Sequence, residues 1–128
     1  MLLDQSLKPV ICDFGLSRFI NGKDEAIYSS SDYGPLKWMA PETMNKRKFS
    51  EKSDVWSFAV TCVECISRDK EPYMGMSKIE VSLNVMQFKL KPKIPTRTPE
   101  KMKKILEMCL EYEPSFRPTF KEICKMLE

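Results

Sequence analysis

The sequence predicts a mainly α-helical chain that begins with a short β-hairpin. Three observations lead there. Nine of the twelve residues from Val55 to Ile66 are apolar, a run of helical length. Helix-opening signals recur after it, at Ser77-Lys78-Ile79-Glu80, at Thr98-Pro99 and at Pro118. Lys8-Pro9-Val10-Ile11-Cys12 reads as a brief strand, with Leu2-Leu3 across the Gln5-Ser6 turn as its partner. At 128 residues the chain has the size of one domain and can bury about two-thirds of its unfolded surface.

Each element has its own local reason. After the strand, Asp13 to about Trp38 is rich in Gly, Ser, Asp, Asn and Tyr and has no apolar period. A connection of that length is functional or disordered. Pro41-Glu42 has the composition of a first helical turn, where proline loses no hydrogen bond. Ser53 or Asp54 is the expected cap of the apolar helix through Val55, Trp56, Phe58, Ala59, Val60, Cys62, Val63, Cys65 and Ile66. A helix apolar nearly all round belongs inside a domain larger than itself. Ser77 and Glu80 form a capping box for a helix through Phe88, although Ile79, Val81, Leu83 and Val85 also alternate as strand residues do. Thr98-Pro99 opens a helix with Met102, Ile105, Leu106 and Cys109 on one stripe. Pro118 opens the last, with Phe120, Ile123, Cys124 and Leu127 expected inward.

Composition narrows the function. Hydrophobic residues at 42% and charged residues at 30% are those of a soluble globular chain. A net charge of +3 is too small to imply a nucleic-acid or membrane partner. Seven basic residues against Glu100 between Lys89 and Lys104 read as a solvated face, since no aromatic interleaves them; no nucleic-acid partner is expected. The absence of histidine excludes zinc on His ligands, Ser-His-Asp triads and any His general base. No apolar run reaches the length of a membrane span and no signal-peptide pattern follows Met1, so a cytoplasmic setting is expected. Cys12, Cys62, Cys65, Cys109 and Cys124 are an odd set, expected to be reduced and packed as small hydrophobes. Cys62-x-x-Cys65 has no second pair and no histidine beside it, so core packing on two adjacent helical faces is its expected role.

The first chemical signal is Asp13-Phe14-Gly15 directly after the strand. A carboxylate at a strand end, followed by a glycine hinge, suits a divalent cation that bridges phosphate oxygens. Alone the tripeptide is weak. Its company is specific: Ala40-Pro41-Glu42 closes the polar stretch 27 residues after Asp13, Asp54-Val55-Trp56-Ser57 follows, and Arg117-Pro118 opens the last helix. With Glu71-Pro72-Tyr73-x-Gly75-Met76 and Glu113-Pro114-Ser115-Phe116-Arg117-Pro118 in order, the chain resembles the protein kinase family along essentially all its length.

The resemblance implies the C-terminal lobe of a kinase domain over residues 1–128, with an activation segment at about 13–42 and a helical subdomain at about 43–128. It implies that Asp13 holds Mg²⁺ on the ATP phosphates, that Phe14 joins a hydrophobic column, and that Gly15 is the hinge. Ala40, Pro41 and Glu42 would end the segment, and Glu42 would pair with Arg117. Asp54 resembles a helix carboxylate that accepts backbone hydrogens from the catalytic loop, and Trp56 beside it would share a structural role with Glu42 and Arg117. Pro35, Leu36, Lys37 and Trp38 match the substrate-docking stretch of tyrosine kinases and tyrosine-kinase-like enzymes. Leu110, where tyrosine kinases usually carry tryptophan, leans toward the tyrosine-kinase-like group. Tyr28, Ser29, Ser30, Ser31 and Tyr33 are candidate phosphorylation sites, with Arg18 as a nearby cation.

The chain lacks the Gly-rich phosphate loop, its partner lysine and the H-R-D-x-x-x-x-N catalytic loop, so no catalytic base is expected in it and ATP and Mg²⁺ binding should be weak or absent. Two readings follow. One is part of an ATP-dependent signalling enzyme that phosphorylates protein substrates on Tyr, Ser or Thr. The other is a non-catalytic kinase-lobe remnant that binds proteins.

Overall fold

Capping side chains fix where three of the five helices start. The computed structural model describes residues 1–17, 19, 27–28, 34–68 and 71–128. Its strands are β1 (Leu2–Leu3), β2 (Pro9–Val10), β3 (Ile27–Tyr28) and β4 (Lys48–Phe49). Its helices are α1 (Pro41–Lys46), α2 (Glu51–Ser67), α3 (Lys78–Phe88), α4 (Glu100–Cys109) and α5 (Phe120–Leu127), with single 3₁₀ turns at Leu36–Trp38 and Pro114–Phe116. Pro41 is the first residue of α1, as its missing N–H allows.

Helix α2 starts earlier than expected. Its cap is Ser50, in extended backbone, whose amide donates to Ser53 Oγ at 2.8 Å while the Ser53 amide donates back at 3.4 Å. Ser53 is thus the third residue of a reciprocal box, which takes both Ser53 and Asp54 inside the helix. The same device opens α3, where Ser77 and Glu80 exchange hydrogen bonds of 2.7 and 3.2 Å. That box selects helix over strand: Val81 and Val85 fall together inside and Ile79 and Leu83 together outside. Thr119, and not Pro118, caps α5 through Glu122.

Helix α2 runs through the centre. Its Val55, Trp56, Ala59, Val60 and Val63 are buried with Val81 and Val85 of α3, Ile105, Leu106 and Cys109 of α4, Leu110, and Ile123 of α5. It packs on α4, on β4 and on both 3₁₀ turns. One stripe nevertheless faces water, and Asp54, Cys65 and Arg68 lie on it. Cys65 is therefore exposed, not packed in the core as expected, and Cys62 is half-buried. In α5 the expected inward set is also corrected. Phe120, Ile123 and Met126 form the contact line in steps of three, which leaves Cys124 and Leu127 exposed. Among the five cysteines only Cys109 is fully buried.

The hairpin forms with Leu2 opposite Val10 and Leu3 opposite Pro9. Asp4 shapes its turn by accepting from the amides of Ser6 and Lys8 at 2.8 and 2.9 Å. Its apolar side chains Leu2, Leu3, Leu7, Val10 and Ile11 are all exposed. Within the polar stretch, β3 pairs with β4, Ile27 opposite Phe49 and Tyr28 opposite Lys48. This long-range pair has no periodic signal in the sequence. Among the described residues, no helix is long and apolar enough to cross a membrane.

Candidate functional site

The chain path places the motif residues in three settings. The first is the corner after β2. Asp13 is exposed and sits at φ 66°, in the left-handed region that non-glycine residues seldom adopt and Asp tolerates better than most. The Ser17 amide then donates to the Phe14 carbonyl at 3.0 Å to close a turn. Phe14 is 68% exposed, so no hydrophobic column surrounds it among the described residues. Asp13 offers a hard oxygen donor of the kind Mg²⁺ prefers. No group of three or more His, Cys, Asp or Glu among the described residues is placed to hold a metal, so Asp13 fits the ion only as a ligand shared with phosphates.

The second setting is the 3₁₀ turn Leu36–Trp38. The Trp38 amide donates to the Pro35 carbonyl at 2.8 Å and the Met39 amide to the Leu36 carbonyl at 3.2 Å. The four residues expected to dock substrate divide sharply. Pro35 is exposed and Leu36 half-exposed. Lys37 is only 4% exposed, its ammonium 2.8 Å from a Glu71 carboxylate oxygen. Trp38 donates its indole N–H to Glu64 at 3.0 Å, and its carbonyl accepts from the Ser57 hydroxyl at 2.9 Å. Lys37 and Trp38 thus face the protein. Glu64 was not singled out in the sequence, and Glu71 was named only within the Glu71-Pro72-Tyr73 block, because nothing local marks a carboxylate that partners a residue 26 or more positions away.

The third setting is a buried knot. Arg117, 1% exposed, presents five N–H groups and all five are used. Nη1 and Nη2 donate to the two Glu42 oxygens at 2.7 and 2.9 Å, a fork-to-fork pair. The remaining three donate to the carbonyls of Glu111, Lys52 and Tyr112 at 2.7, 2.8 and 3.1 Å. The guanidinium also lies over the Trp56 ring, 5.1 Å from its centroid. In return, the Lys52 ammonium donates to the Arg117 carbonyl. The start of α1, the first turns of α2 and the segment before α5 therefore meet at one side chain. Ala40 caps α1 and is buried, as is Pro41.

Asp54 stands in the first turn of α2 on its outward stripe. Desolvation by the surrounding protein, and then the charge of Glu51, hold its carboxyl above the usual range. Of the candidate phosphorylation sites, Ser29, Ser30, Ser31 and Tyr33 lie outside the described residues, with Arg18; Tyr28 belongs to β3. Several cations of the basic run have partners within the chain. Lys89 stacks on the Tyr112 ring, Lys91 lies 3.6 Å from Glu111, and Lys101 donates to the Leu127 carbonyl at 3.1 Å.

The family described as protein tyrosine and serine/threonine kinase matches residues 1–127. Protein-tyrosine kinase 6 of Mus musculus is 40% identical over 116 residues, which is 90% of this chain and 25% of that protein. Probable serine/threonine-protein kinase drkC of Dictyostelium discoideum is 35% identical over 129 aligned residues, covering 100% of this chain and 17% of the relative. Serine/threonine-protein kinase STY17 of Arabidopsis thaliana is 32% identical over 127 residues, 99% of this chain and 22% of that protein. The chain spans between 17% and 25% of the length of these relatives. A family match from end to end, over blocks whose residues meet in the Arg117 knot, makes the chain a member of the protein tyrosine and serine/threonine kinase family.

Proposed function

We propose that the chain is the C-terminal lobe of an ATP-dependent protein kinase, which transfers the γ-phosphate to a Tyr, Ser or Thr hydroxyl of a protein. The observation that carries this reading is Asp13. It is an exposed carboxylate at the corner after β2, so packing does not require it there. An exposed hard oxygen donor at that place suits a divalent cation that bridges phosphate oxygens.

In this reading residues 13–42 are the activation segment and 43–128 the helical subdomain. Mg²⁺ supplies charge neutralisation of the transferring phosphoryl group and orients ATP. Asp13 contributes one oxygen donor to that ion, and Gly15 leaves the corner free to turn. Pro35 and Leu36 face the protein substrate. The Glu42–Arg117 knot keeps the end of the segment on α2, and Asp54 accepts backbone hydrogens from the catalytic loop. The base, the second metal ligand and most ATP contacts come from residues outside this chain, so the chain alone is inactive. Phosphorylation among Tyr28, Ser29, Ser30, Ser31 and Tyr33 orders the segment against basic groups such as Arg18. The setting is the cytosol, or the cytosolic face of a membrane, among other signalling proteins.

A second reading, a non-catalytic module that binds proteins, draws on the exposed Leu2, Leu3, Leu7, Val10, Ile11 and Phe14. One experiment separates the two. ATP-dependent phosphorylation of a mixed Tyr/Ser/Thr peptide library is measured for the chain alone and for the full-length protein that carries it. The kinase reading expects no transfer by the chain, and transfer by the longer protein that falls about 10²-fold or more in Asp13→Ala. A folded full-length protein that transfers nothing favours the binding module.

A further inference from the structure

A single 3₁₀ turn has too few hydrogen bonds to hold its own direction. The turn Leu36–Trp38 is instead fastened from two sides. Trp38 ties it to α2 through Glu64 and Ser57, at 3.0 and 2.9 Å. Lys37 ties it to the segment between α2 and α3 through Glu71, at 2.8 Å. Burying a lysine is costly unless its charge is met, and Lys37 is 4% exposed. Glu71 meets it from the water side, since its own side chain is 46% exposed. Glu80, whose carboxyl is held low first by hydrogen bonds from Ser77, is also near enough to feel the Lys37 charge. The ammonium therefore sits where the 3₁₀ turn meets the start of α3, and those two elements pack together. With Lys37 and Trp38 committed inward, Pro35 and Leu36 are what the turn leaves for a partner.

We infer that Lys37 and Glu71 are positioning residues for the protein substrate: their ion pair sets the placement of Pro35 and Leu36, and the Lys37 ammonium does not itself touch the substrate. This rests on the kinase reading above. It differs from the sequence expectation, which put Lys37 among the docking residues. It also assigns Glu71, which the sequence marked only as the start of the Glu71-Pro72-Tyr73 block, a part in substrate affinity.

The test is made in the full-length kinase with Glu71→Gln, Lys37→Met and the double variant Lys37→Met/Glu71→Met. Each single change is expected to raise KM for the peptide substrate about tenfold, the scale on which contacting residues couple, while KM for ATP and kcat stay near the unaltered values. The double variant is expected to recover much of the loss, because no buried charge is left without a partner. Hydrogen exchange at the Trp38 and Met39 amides provides a second readout, and faster exchange in Glu71→Gln is expected. An unchanged peptide KM, or an ATP KM that moves equally, overturns the positioning role in an otherwise active kinase. An unaltered protein that phosphorylates nothing overturns the kinase reading instead, and exchange at Trp38 then still decides whether Glu71 holds the turn.

Discussion

Replacing Arg117 by alanine removes five hydrogen bonds and one charge from a site that is 1% exposed. Glu42, whose side chain is 10% exposed, is left without its cation. Breaking a buried pair by deleting one partner costs about 3–5 kcal/mol. The carbonyls of Lys52, Glu111 and Tyr112 lose their donors in the same step, and each unsatisfied buried acceptor costs about 1–3 kcal/mol when water does not replace the donor. The expected loss is therefore at the upper end for a buried pair, about 5 kcal/mol. That is comparable with the whole stability of a marginal domain, about 5–15 kcal/mol.

Two companion variants separate charge from hydrogen bonding. Arg117→Lys keeps the charge but has three donors for five acceptors, and should recover only about half the loss. Glu42→Met/Arg117→Met removes both charges, which relieves the stranded carboxylate but leaves the three carbonyls unmet. It should remain clearly less stable than the unaltered protein, unlike a simple ion pair exchanged for apolar residues. Urea unfolding followed by tryptophan fluorescence is the assay. Trp56 lies directly under the guanidinium and is one of only two tryptophans in the chain. Equal midpoints for Arg117→Ala, Arg117→Lys and the unaltered protein would refute the reasoning.

Three further outcomes are expected. A thiol reagent at neutral pH should label exposed Cys65 and Cys124 first, then Cys62, whose thiol burial pushes up to about 11, and last Cys109, also at about 11 through burial; counting modified residues by mass spectrometry checks the order. Glu80 and Glu122 have carboxyls lowered by hydrogen bonds from Ser77 and Thr119, so the stability they lend is complete above the ordinary glutamate range and is lost as pH falls through their folded values. Glu80→Gln/Glu122→Gln should flatten that acid limb of a thermal-stability profile, and a limb of unchanged slope would show that the boxes do not hold these carboxylates. Finally, amides of the β1–β2 hairpin should exchange far faster than those of α2, because an isolated two-stranded hairpin with exposed side chains is marginal in water.

What was legible in the sequence follows physical range. Ser77 with Glu80 is a contact across three residues, so the start of α3 can be read and its strand-like alternation overruled. Ser50 was missed as the cap of α2 because its box partner is Ser53, and not the glutamate or glutamine that usually marks the motif. The pairing of β3 with β4 joins residues about twenty positions apart, and two residues a side leave no period to detect. The Arg117 knot was half visible. Glu42 could be named by resemblance, but three of the five acceptors are main-chain carbonyls, and a carbonyl has no sequence signature. The burial of Lys37 ran against composition altogether, since lysine is among the residues least often found inside.

The same distinction bears on what the family signature means in this chain. Ala40, Pro41, Lys37, Trp56, Arg117 and Pro118 are buried, and Glu42 and Trp38 are occupied by partners inside the protein. These residues serve the packing of α1, α2 and the segment before α5. A descendant that no longer transferred phosphate would still need them in order to fold. A long match is therefore strong evidence of family and weak evidence of catalysis. Asp13 is different, for it is an exposed carboxylate that the packing of these elements does not use. Replacing it by glycine removes a carboxylate and relieves a left-handed backbone, so Asp13→Gly should leave the helical body as stable as before or more so. If the same change abolishes phosphate transfer by the full-length protein, stability and activity have been separated at one residue. That result would assign Asp13 to chemistry on physical grounds independent of the resemblance, whereas an unfolded Asp13→Gly protein would return it to the structural residues.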